Sequence, residues 1–104
     1  MNQFDVYRNP NPASVRTVPW LLLIQSDLLD DFPTRMVAPL VKPAALSVPA
    51  TRLNPAFKID GEPAVMLTQQ LGAVPRRSLK HKVASLERHR TEIIAAIDFL
   101  LGGV

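Results

Sequence analysis

Hydrophobic and polar positions alternate at the start of the chain. Over Gln3 to Arg8, Phe4 and Val6 fall on one face and Asp5 and Tyr7 on the other, which predicts a half-buried β-strand. The run VPWLLLIQS from Val18 to Ser26 is apolar on both faces in its middle and too short for a typical helix. It predicts a central strand, with Pro19 near its start because proline cannot donate to a ladder. RMVAPLV from Arg35 to Val41 predicts the next strand, and Pro39 within it implies a bulge or an edge position. Phe57-Lys58-Ile59, then Asp60-Gly61, then Glu62 to Thr68 predicts a hairpin, since Asp-Gly between two apolar runs suits a two-residue turn with positive φ. Leu71 to Pro75 predicts a further short strand or turn, and Lys42 to Ala50 a proline-containing connector.

The periodicity changes in the last twenty residues, SLERHRTEIIAAIDFLLGGV. At 100° per residue, Leu86, Ile93, Ile94, Ile97, Leu100 and Leu101 fall on one stripe, with Glu87, Arg88, Glu92 and Asp98 off it. This predicts a helix over about 85–101 with Ser85 as N-cap, stopped by Gly102 and Gly103 and ending in a short apolar tip at Val104. Leu79 and Val83 share the phase of the stripe, so helix from Ser78 is an alternative, although cations in a first turn oppose the helix dipole. Phe99 lies on the otherwise polar side, where an interface would explain it.

Composition narrows the class. A chain of 104 residues with 47% apolar content forms one modest core. Its 10 prolines all lie within residues 1–75, which favours short elements joined by turns, hence a mainly β barrel region over about 1–76 before the helix. The absence of cysteine excludes disulfides, thiol nucleophiles and thiolate metal sites. No apolar run approaches a membrane span, and the opening MNQFDVYRN lacks the pattern of a secretory leader. A cytoplasmic location without membrane association is expected.

The net charge of +3 is unevenly placed. Six basic residues (Arg76, Arg77, Lys80, Lys82, Arg88, Arg90) face three acids (Glu87, Glu92, Asp98) after residue 75, while the preceding part balances. Such a segment is either a solvated connector or a surface for an acidic partner or nucleic acid. No aromatic residue is interleaved with these cations, so direct nucleic-acid binding is not expected.

Phosphate-loop, dinucleotide and metalloprotease motifs are absent, as is the nucleophile elbow. His81 and His89 form a poor metal pair. Asp27, Asp30 and Asp31 have the chemistry of a hard-cation site, but a surface turn explains them equally well. No spacing supports an acid–base set built from Asp27, Arg35 and a histidine. Leu28 and Leu29, set among these acids, are either the inner contact of a turn or an exposed apolar bump, and the residues alone favour burial. The expected mode of action is binding, not catalysis, without cofactor or metal.

Six stretches in order resemble the CcdB family of toxins from bacterial toxin–antitoxin modules. They are QFDVY at Gln3–Tyr7, IQSDLLD at Ile24–Asp30, RMVAPL at Arg35–Leu40, IDGE at Ile59–Glu62, T-x-x-L-x-x-V-P at Thr68–Pro75, and the terminal IIAAIDFLLGGV. The resemblance implies an SH3-like β-barrel with a C-terminal helix, a symmetric homodimer, and a protein that is not an enzyme. It implies binding to DNA gyrase, through the A-type subunit of that enzyme, trapping the cleaved-DNA complex until a cognate antitoxin extracts the toxin. It carries gyrase contact to Leu28, Leu29, Asp98, Leu101, Gly102, Gly103 and Val104. One departure is Gly102, where the family's well-studied poison has a tryptophan; Trp20, the chain's single tryptophan, sits in the central strand. A diverged member with a changed target and a ribonuclease of similar barrel are the alternatives.

Overall fold

A computed structural model describes residues 1–46 and 51–103. The strands are β1 (Asp5–Arg8), β2 (Trp20–Leu23), β3 (Thr34–Val41), β4 (Ala56–Ile59), β5 (Glu62–Met66), β6 (Gly72–Pro75) and β7 (Lys82–Ser85). They pair antiparallel in the order β4-β5-β3-β2-β1-β7, with β6 on the part of β3 that β5 leaves free. The fold is mostly β, a sheet nearly closed into a barrel, followed by one C-terminal helix, α1 (Arg90–Gly102).

The β2 prediction holds: its four residues are all buried between β1 and β3. Trp20 and Leu22 enter the barrel core, while Leu21 and Leu23 join a second cluster with Tyr7, Val37 and Leu79. β1 is therefore not half-buried; Asp5 and Tyr7 are buried along with Val6. The Asp5 carboxylate is satisfied by Lys82 Nζ at 3.2 Å and by the Asn2 backbone N–H, which donates at 2.8 Å. Phe4, just before β1, takes a positive φ of 70°. Its complete burial, with backbone bonds to Leu23 and Leu86, holds a conformation that a bulky side chain otherwise disfavours.

β3 is interior, not an edge. Pro39 is accommodated because β3 changes partner there: β6 pairs Thr34 to Val37, and β5 pairs Leu40 and Val41. The Pro39 carbonyl accepts from Leu67 N on that side, so its missing N–H falls in the gap between two partners. The Asp-Gly hairpin is as predicted, with Ile59 opposite Glu62 and positive φ at Asp60 (51°) and Gly61 (83°). β6 also forms where expected. The 42–50 connector contains a 3-10 turn at Pro43–Ala45, and residues 47–50 lie outside the described part.

The helix is shorter than its periodicity predicts. Residues 82–85 form β7 on β1, with Ser85 opposite Asp5 and Ala84 opposite Val6, so the strand region extends beyond residue 76. Leu79, in phase with the helical stripe, instead closes the second cluster. Leu86 is buried at the entry to a 3-10 turn (Glu87–His89), and α1 starts only at Arg90. Ser85 is the last residue of a strand; its Oγ accepts from Glu87 N at 3.3 Å. Ladder bonds to β1 satisfy a backbone that local propensity would leave free to coil.

Ile93 and Ala96 bury fully against the core, with Ile94 and Ile97 partly buried beside them. Full burial of a side chain the size of Ile93 stabilises by roughly 1.5–3 kcal/mol. Leu100 and Leu101, on the predicted stripe, are exposed. Gly103 (φ 72°) supplies the left-handed cap, and its N–H reaches the Phe99 carbonyl at 2.8 Å.

Candidate interaction surface

Leu28 and Leu29 sit in a 3-10 turn (Asp27–Leu29) between β2 and β3. Leu28 is 93% exposed and Leu29 47%, so the burial favoured by the residues alone is wrong, and the exposed bump implied by the resemblance is present. The turn forms because Ser26 Oγ caps it, accepting from Leu28 N at 3.2 Å. Leu29 N donates to the Ser26 carbonyl at 3.0 Å, which closes the turn with both leucine side chains directed to solvent.

The same turn is tied down from three sides. Asp27 Oδ1 accepts from Gln3 N at 2.7 Å, and Gln3 Nε2 donates to the Ile24 carbonyl at 2.9 Å. Gln25 Nε2 donates to the Leu29 carbonyl at 2.9 Å, while Gln25 Oε1 accepts from Met36 N at 3.0 Å. Arg35, only 2% exposed, donates through Nη2 to Asp30 Oδ1 and to the Asp30 carbonyl, both at 2.6 Å. Its Nη1 donates to the Thr34 carbonyl at 2.9 Å and to the Phe32 carbonyl. A buried guanidinium with these acceptors fixes the 30–34 backbone.

Gln3 also accepts from Arg90 at 3.1 Å, which joins this turn to the first residue of α1. The Arg90 guanidinium lies over the Phe4 ring at 5.3 Å. These contacts give the cation favourable partners at the helix end where the dipole disfavours it.

The other predicted site residues lie at the far end of α1. Asp98 and Leu101 lie on its last turns, Leu101 80% exposed; Gly102 closes the helix and Gly103 caps it. Val104 lies outside the described residues. Leu101 is eleven residues beyond Arg90, about 16 Å along the axis. The predicted site thus resolves into two exposed apolar groups on separate elements. Phe99 does not need an interface to cover its ring, because the Arg52 guanidinium lies 4.5 Å from its centroid.

The sequence gives no sign that Arg35, Gln25 and Gln3 support the site. Arg35 reads as one more strand residue; only the carbonyls folded around it reveal its role. Phe32 and Met36, also exposed, carry no local signal either. The residues considered for acid–base chemistry are engaged elsewhere: Asp27 with Gln3, Arg35 with Asp30, and His89 with Glu92 at 3.2 Å. Among the described residues, no three acids or histidines converge as metal ligands, and no helix is long and apolar enough to cross a membrane.

The basic segment is folded into a surface. Arg77, Lys80 and His81 meet Arg8, Asn9, Pro10 and Pro12 around a cleft of about 580 Å³ with no acidic residue in its lining. Tyr7, on the strand that ends at Arg8, has its phenol pushed above the usual 10.0, first by burial and then by the Asp5 carboxylate and its hydrogen bond.

Comparison with protein-family models matches the CcdB protein family over residues 3–103. The match covers the sheet, the Leu28–Leu29 turn and the helix with its cap, so this chain belongs to the CcdB family, the toxins of toxin–antitoxin modules.

Proposed function

We propose that this toxin acts by binding, docking on the A-type subunit of DNA gyrase and holding the cleaved-DNA complex, in the cytoplasm and as a homodimer, until a cognate antitoxin removes it. The observation that carries this reading is the Leu28–Leu29 turn: two leucines presented to solvent on a backbone held by bonds at Leu28 N, Leu29 N and the Leu29 carbonyl. Exposed apolar side chains on a rigid support are what a protein interface requires, because ordering costs are met before binding. Leu101, Gly102 and Gly103 form the second contact, with Asp98 one turn back on α1, and the resemblance carries the contact on to Val104.

The basic cleft between Arg8 and Lys80 suits an acidic, extended antitoxin segment, since its lining has cations and no competing acid. Antitoxin binding and gyrase binding are then separable by mutation.

Gly102 supports a second reading, a member with a changed target. It offers no side chain where the family poison has an aromatic anchor. Such anchors are commonly worth about 2 kcal/mol or more, so gyrase affinity should fall roughly 30-fold or further without one. The deciding assay is gyrase-mediated supercoiling and DNA cleavage with wild type, a chain lacking residues 102–104, and Gly102→Trp in parallel. Weak inhibition by wild type, lost on truncation and strengthened by Gly102→Trp, is expected. No effect from wild type or Gly102→Trp, with the fold intact, would reject gyrase and favour the changed target.

A further inference from the structure

Phe32 is 55% exposed, while the other Phe, Tyr and Trp rings among the described residues are buried or, for Phe99, partly buried beneath Arg52. It closely follows the Leu28–Leu29 turn, and its own N–H reaches the Leu29 carbonyl at 3.4 Å. Arg35 holds its carbonyl from the interior side, with the same guanidinium that grips Asp30. An aromatic ring left in water on a backbone this heavily bonded has given up burial that a looser loop would recover by folding inward.

Resting on the gyrase reading above, we propose that Phe32 is a further anchor of the target-binding surface, presented by Arg35 as its positioning residue. The surface then runs from Leu28 and Leu29 to Phe32, with Met36 exposed on the adjoining strand. Within residues 27–35 the exposed charges are of one sign: Asp27, Asp30 and Asp31 flank the apolar side chains and the one cation there, Arg35, is buried, while Arg76 and Arg77 lie beyond Pro33. The occupant it fits is a protein face with an apolar depression rimmed by cations. An aromatic side chain here supplies contact area that Gly102 cannot supply at the end of α1.

The test is equilibrium and kinetic binding of the full chain to the purified A-type gyrase subunit. Wild type, Phe32→Ala, Leu28→Ala and Asp30→Ala are compared, with urea melts and amide exchange on the free proteins. Phe32→Ala should bind about tenfold or more weakly, mainly through faster dissociation, with an unchanged melt because the ring is exposed. Asp30→Ala removes one acceptor from Arg35 while keeping the guanidinium. It should speed exchange over residues 27–33 and weaken binding, and the melt should stay cooperative. A merely structural role would shift the melt without changing local exchange.

The inference is overturned if Phe32→Ala binds like wild type while Leu28→Ala does not; the gyrase reading then survives alone. Binding weakened by Phe32→Ala with Asp30→Ala unchanged in both exchange and affinity removes the positioning role of Arg35. If wild type fails to bind the gyrase subunit, the gyrase reading and this inference fall together.

Discussion

Substituting Gly61 by valine isolates the energetic role of one turn. Gly61 is the second central residue of the β4–β5 hairpin, at φ 83°, and follows Asp60 at φ 51°. Apart from its chain neighbours, no atom lies within 4 Å of a Cβ built on Gly61, so the Cβ itself adds no steric clash. What remains is backbone strain, about 1–3 kcal/mol for a β-branched residue held in the left-handed region. A less flexible unfolded chain offsets about 0.4–1 kcal/mol of it. The expected net loss is about 1–2 kcal/mol. With a urea dependence of about 1–3 kcal/mol per molar, the midpoint should fall by roughly half to one molar at unchanged slope. Gly61→Asn, which tolerates positive φ, should lose much less. Overlapping melts for wild type and Gly61→Val would refute the turn assignment, and an equal loss in the asparagine variant would refute strain as its cause.

The Tyr7 phenol titrates above 10.0 in the folded chain and near it when unfolded, so its stabilising contribution is complete below pH 10 and declines as pH rises through the folded value. Melts from pH 9 upward should show this decline in wild type and a smaller one in Tyr7→Phe; parallel curves would count against it. The homodimer should give twice the chain mass of 11.5 kDa in light scattering at low micromolar concentration, and a monomer there would reject it.

How much of the molecule is legible in its sequence follows from how local each cause is. The Asp-Gly turn, the β2 strand and the Gly103 cap depend on φ preferences and side-chain period, which neighbouring residues carry by themselves. The candidate site was legible through the order of motifs, which placed Leu28, Leu29 and Leu101 on the surface against the bare expectation of burial. Other outcomes needed the fold. Residues 82–85 adjoin the helical stripe, and Val83 is in phase with it, yet β1 offers their backbone a ladder across some eighty residues of chain, and pairing wins over coiling. Arg35 becomes a buried support only when the 30–34 backbone folds its carbonyls around the guanidinium. The local pattern determined where turns and apolar runs occur; tertiary structure decided which of them face water, because burial and hydrogen-bond satisfaction depend on partners distant in sequence.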